Sequence, residues 1–168
     1  MELRPELNPP VLDEEQVQRL VDFINSIEDS LEIGDDPSEF VSQFNREVGT
    51  NFKYDELCEI WSYMEVEEFV RSQLRTSQAR KIPDITYEEL LELMNRVCKL
   101  QGTESEVAFY TRMLEKNLPI EDLWVDIFWQ SSDRKLSSQE YLDRALAFRP
   151  KPPLITPPPI DTFPQKPD

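Results

Sequence analysis

The chain has 168 residues, of which 39% are apolar and 31% charged, with nine Phe, five Tyr and three Trp. That is enough for one packed core or a tight pair of half-sized ones, and too much for wholesale disorder. A formal net charge of −16 disfavours direct binding to nucleic acid or to an anionic membrane, both of which are recognised through cationic groups.

The first ten residues carry Glu2, Arg4, Pro5 and Pro9-Pro10, which is incompatible with the apolar stretch of a signal peptide, and they read as an N-terminal extension. No run in the chain approaches the roughly 20 apolar residues of a membrane span, so a cytoplasmic location is expected.

Helix signals then recur. Asp13 with Gln16 has the spacing of a capping box, followed by Val17, Leu20, Val21, Ile24 and Ile27 along one face. Asp36-Pro37 with Glu39 starts a second helix, striped by Phe40, Val41, Phe44 and Val48, which Gly49 can end. A third is predicted from Tyr54 to Met64, with Leu57, Ile60, Trp61 and Met64 inward. A fourth carries Val66, Phe69, Val70 and Leu74. Ile82-Pro83-Asp84 interrupts the pattern, and Thr86 with Glu89 opens a fifth helix bearing Leu90, Leu93, Met94 and Val97 and closing at Gly102. Thr103 with Glu106 caps a sixth, Pro119 starts a seventh, and Ser137 with Glu140 caps an eighth that ends before Pro150.

Strand signals are nearly absent, and the chain holds only three glycines. The expected fold is all-α: a compact bundle of about eight helices over residues 11–149, with a Pro-rich, extended tail over 150–168. The order of elements fits either one bundle or two similar four-helix halves, 11–79 and 84–149. Val66 to Leu74 matches Ser138 to Leu146 position by position, a pattern that any two amphipathic helices can share.

Catalytic signals are weak. The chain has no histidine, no phosphate-cradling glycine loop and no nucleophile elbow. The carboxylates Glu65, Glu67, Glu68, Glu88, Glu89 and Glu92 fall mostly away from the apolar stripes, as solvated faces do. Cys58 and Cys98, forty residues apart, read as reduced core residues. No enzymatic activity, metal or cofactor is expected. The basic island from Arg71 to Lys81 is expected to balance neighbouring acids within the fold.

The most informative segment is Ile120 to Trp129. At helical spacing Ile120, Leu123, Trp124, Ile127 and Phe128 share one face, whereas Val125 and Trp129 lie opposite, beside Asp122 and Asp126. Two readings follow. Either this helix is buried all round at the centre of the bundle, or Trp129 is an exposed aromatic anchor ringed by acids, the arrangement of an interface hot spot for a basic partner. Tyr63 sits off its own stripe in the same way.

Two local resemblances accompany these readings. Residues 36–60, DPSEFVSQFNREVGTNFKYDELCEI, resemble the helical leader domain of nif-type leader peptides in cyanobacterial ribosomal-peptide precursors. There a helix, a glycine, an aromatic residue and an acidic-Leu pair follow in that order. Residues 85–106, ITYEELLELMNRVCKLQGTESE, resemble the first helix and turn of colicin-type nuclease immunity proteins. That resemblance implies an acidic four-helix bundle that blocks a basic toxin, with Asp122 to Trp129 as a loose counterpart of the toxin-binding acids and tyrosines.

The function expected is therefore a non-catalytic acidic inhibitor or adaptor that engages a basic protein surface through Trp124, Phe128, Trp129, Asp122, Asp126 and Tyr63. The alternative is an assembly protein that joins partners through the Pro-rich tail or the Trp129 helix, and a carboxylate-based enzyme ranks third. The oligomeric state is not readable from the sequence.

Overall fold

A computed structural model of the chain describes residues 2–61, 64–129 and 136–148. It is all-helical, with no strand among the described residues. The α-helices are α1 (Glu14–Glu32), α2 (Ser38–Val48), α3 (Tyr54–Trp61), α4 (Val66–Thr76), α5 (Tyr87–Cys98), α6 (Glu104–Asn117) and α7 (Ser138–Ala147). A short 3-10 turn (Pro5–Leu7) precedes α1, and a π-helical turn (Trp124–Phe128) stands where the seventh helix is predicted.

Local sequence explains most boundaries. Thr86–Glu89, Thr103–Glu106 and Ser137–Glu140 all form complete capping boxes, each side chain bonding the other's backbone amide. Asp13 caps α1 by accepting from the Glu15 amide at 3.0 Å, without the expected reciprocal bond from Gln16. Gly49 ends α2 at φ 76°, in the left-handed region. The α5 terminus departs from expectation: the helix stops at Cys98, and Leu100, not Gly102, makes the left-handed turn at φ 48°. Its carbonyl bonds are closed by the Leu100 amide on Val97 and the Gln101 amide on Arg96.

Two apolar clusters fill the interior, largely one per half of the chain. The first joins α1 to α4 through Val17, Leu20, Ile24, Ile27, Phe44, Leu57, Phe69 and Val70. In it the Phe44 and Phe69 rings stack at 5.8 Å. Met64 packs against this cluster in part, whereas the side chains of Ile60 and Trp61 lie outside the described residues. The second joins α5, α6, α7 and the π-helical turn through Leu93, Met94, Met113, Leu114, Leu123, Ile127 and Leu142.

The first ten residues cross to this second cluster: Leu3 and Leu7 are buried in it. Arg4 holds them there by bonding the Asp84 carboxylate at 3.0 Å and Glu89 at 3.0 Å. The Arg4 guanidinium in turn keeps the Asp84 carboxyl below its ordinary range. Arg96 adds an internal node, bonding the Tyr110 hydroxyl at 2.7 Å and Glu92 at 3.1 Å.

The halves meet where α4 packs along α6. Glu68 Oε1 accepts from the Ser105 amide at 2.6 Å, and Arg75 reaches the Ser105 and Thr103 hydroxyls. Burial pushes the Glu68 carboxyl up, but the bonds from Ser105 and Thr103 and the Arg75 charge outweigh it, and the net shift is downward. A carboxylate at the first turn of α6 also suits the positive end of the helix dipole. Within the basic island, Arg71 pairs with Glu14 and Glu67. Glu68, Glu89 and Glu92 are correspondingly structural groups rather than members of a solvated face.

Cys98 corrects a sequence expectation: it is exposed, because it falls in the last turn of α5, off the Leu93–Met94–Val97 stripe. Burial of its sulfur nonetheless pushes the thiol up. The Cys58 side chain lies outside the described residues. Among the described residues no helix is long and apolar enough to cross a membrane.

Candidate functional site: the aromatic turn and its cleft

The turn after α6 is built by short-range polar bonds. Asp126 Oδ2 accepts from the Glu121 and Asp122 amides, both at 3.1 Å, and Asp122 Oδ1 accepts from the Val125 amide at 2.9 Å. Glu115 on α6 accepts from the Leu123 amide at 3.1 Å. These carboxylates satisfy the free amides that every helix start leaves. Asp122 and Asp126 are thus first of all what holds the turn, and their negative charge is delivered beside it as a result.

Within that frame the backbone makes a π-helical turn, in which the Trp129 amide reaches back five residues to the Trp124 carbonyl. Leu123 and Ile127 anchor it in the second cluster. Trp124 is 51% exposed, Val125 58% and Trp129 80%. The expected inward placement of Trp124 is therefore corrected. The α-helical rule of 100° per residue sets residues five apart about 140° from each other, whereas the wider π turn brings positions 124 and 129 toward the same side. Of the two readings for Trp129, the structure takes the exposed one.

Phe128 is half-buried and links the turn to α7. Its ring lies 4.9 Å from that of Trp124 and meets Tyr141 edge-on at 4.5 Å. The result is a ladder, Trp124–Phe128–Tyr141, followed directly in the chain by the exposed Trp129. Tyr87 on α5 steadies the far side by donating to Asp143 on α7 at 2.8 Å.

Trp124 also forms one edge of an open cleft of about 570 Å³ at the junction of the halves. Val107, Ala108 and Thr111 of α6 give it a partly apolar lining, and Gln73 and Thr76 of α4, with Ser77 just after it, flank them. Gly49 and Thr50 line it from the α2–α3 turn. That turn is fixed by Asn45, whose amide donates to the Phe52 carbonyl at 2.8 Å while its oxygen accepts from the Phe52 amide and the Thr50 hydroxyl, both at 2.9 Å. Glu104, and Glu115 paired with Arg112 at 3.0 Å, bring charge to the lining.

Of the six residues singled out from sequence, the structure thus brings together Trp124, Phe128, Trp129, Asp122 and Asp126, while Tyr63 lies outside the described residues. Tyr141 and the α4–α6 cleft are additions that sequence reasoning missed. Tyr141 sits beside Leu142 on the buried side of α7, and only the fold shows that Phe128 reaches it. Among the described residues, no group of three or more acids or thiols is placed to hold a metal ion. Comparison with protein-family models, with curated proteins and with solved structures finds no match to this chain.

Proposed function

We propose that this chain is a non-catalytic, acidic protein-binding module, an inhibitor or adaptor that covers a basic surface of a partner protein. The observation that carries the reading is the exposure of Trp124, Val125 and Trp129 on one turn of a chain of net charge −16. Exposed aromatics with a polar surround are the residues from which interface hot spots are built, and surrounding negative charge steers a cationic partner toward them. The turn presents these rings on a frame already fixed by Asp122, Asp126 and Glu115, so little ordering cost attaches to binding. Blocking would be steric and electrostatic, the mode that the resemblance to immunity proteins implies.

The test is capture from the native host. The immobilised intact chain and Trp129→Asp, with circular dichroism confirming the fold of both, are compared at low and moderate salt. A basic protein retained by the intact chain, and lost both with salt and with the substitution, supports the reading. Capture indifferent to Trp129 contradicts it.

A further inference from the structure

Each hydroxyl in the lining of the cleft beside Trp124 donates into the fold. Thr50 bonds the Asn45 side chain at 2.9 Å, Thr76 the Ser72 carbonyl at 2.7 Å, Ser77 the Leu74 carbonyl at 2.9 Å and Thr111 the Val107 carbonyl at 2.9 Å. Their protons are committed, so these side chains turn only acceptor lone pairs toward a ligand. Arg112 is the one cation of the lining among the described residues, and Glu115 accepts from it at 3.0 Å. The C-terminal ends of α2 and α4 reach the cleft at Gly49 and Ser77, and the carbonyl end of a helix dipole favours positive charge. The opposing amide end, the start of α6 at Glu104, is already met by the Glu68 carboxylate on the Ser105 amide. Glu104 itself is exposed and has no ion pair among the described residues. The lining therefore suits a donor or a cation and disfavours an anion.

Along α6, Glu104, Val107, Ala108, Thr111 and Glu115 recur at helical spacing on one face. Two acids thus bracket an apolar floor about 16 Å long, at about 1.5 Å per residue. Trp124 stands at the Glu115 end, where the Leu123 amide donates to Glu115. We infer that this cleft binds an extended segment of a basic partner in which a cationic, an apolar and a second cationic side chain occupy alternate positions. In a strand such positions share one face, and the outer two lie about 13 Å apart, close to the length of the floor. The apolar side chain covers Val107 and Ala108, and one cationic head meets Glu104. The other head, best an arginine, lies over the Trp124 ring, because a planar guanidinium stacks on an indole face. The volume of about 570 Å³ falls in the range of about 300–1,000 Å³ found for pre-formed ligand sites. That the segment belongs to a protein partner rests on the function proposed above, with Trp124 shared between cleft and aromatic turn. The preference for a cationic strand rests on the lining alone.

The experiment titrates the isotope-labelled intact chain with the peptide acetyl-Arg-Ser-Leu-Ser-Arg-amide, and separately with the same peptide carrying Glu in place of Arg, while NMR follows the backbone amides. The cationic peptide should shift the amides of Val107, Ala108 and Thr111 saturably, and the acidic one should leave them in place. Glu104→Gln should weaken binding about threefold, as the loss of one exposed charge pair does. Ala108→Met fills the floor and leaves the charge unchanged, and it should abolish saturation, with circular dichroism confirming that both variants fold. An equal response to the two peptides overturns the inference. So does binding that survives Ala108→Met, which would reduce the contact to general attraction by a chain of net charge −16. Because the peptide readout needs no partner, a chain that binds the peptide yet captures no basic protein would sink the proposed function and leave the preference of the cleft standing. Capture by a chain whose cleft ignores the peptide would sink only the cleft.

Discussion

The Glu68 carboxylate on α4 accepts a 2.6 Å hydrogen bond from the Ser105 amide in the first turn of α6, across 37 residues of sequence. It ties α4 to α6, the two helices that flank the cleft. Its carboxyl is held below the ordinary glutamate value of 4.5, so the ionised form favours folding. That contribution is complete above about pH 4.5 and is lost as pH falls through the depressed value. Thermal unfolding followed from neutral pH downward should show a falling midpoint in this acid range and a flatter limb in Glu68→Gln. At neutral pH the variant should lose about 1 kcal/mol, a modest figure because the group is partly solvated. Identical acid limbs would remove Glu68 from this role.

Leu100 and Gly49 predict opposite effects of glycine chemistry. Leu100 is exposed and holds φ 48°, where a Cβ is strained by about 1–2 kcal/mol. Leu100→Gly relieves this against the added flexibility of the unfolded chain, for a net gain of about 0.5–1 kcal/mol. Gly49 holds φ 76° with open space around it, so Gly49→Ala loses about 1 kcal/mol through backbone strain and not through a clash. Denaturant midpoints of the two variants check the signs.

The ladder and the exposed Trp129 indole should separate in stability measurements. Phe128 lies between Trp124 and Tyr141, and Phe128→Ala should cost about 2–3 kcal/mol in lost packing. Trp129→Asp should change stability by no more than about 0.5 kcal/mol, as surface substitutions do. A large loss in Trp129→Asp would mean that this ring is part of the packing after all.

In the first cluster, Phe44 stacks on Phe69 with both rings buried. Phe44→Ala should cost about 3–5 kcal/mol, visible as a fall in the urea midpoint with an unchanged slope. A loss under about 1 kcal/mol would indicate that this site collapses around the deletion.

What was legible in the sequence is what local chemistry decides. Thr86, Thr103 and Ser137 with their glutamates mark three helix starts because both partners lie within one turn. The stripes from Val17 to Ile27 and Leu90 to Val97 mark buried faces by period alone. The face of Trp124 was misread because periodicity assumes 100° per residue, and the π turn breaks that assumption. The frame provided by Glu115 and the cleft between α4 and α6 depend on contacts between separate elements, which no spacing encodes. Leu3 and Leu7 could be placed only once Arg4 was seen to reach Asp84 and Glu89.

The central claim is that an acidic field steers a basic protein onto an exposed aromatic turn. Its most direct test is the association rate of the captured partner across a salt series, for the intact chain and for Trp129→Asp. The account predicts an association rate that falls steeply with ionic strength in both proteins, with the substitution acting mainly by speeding dissociation. An association rate indifferent to salt would contradict it and point to a hydrophobic assembly contact.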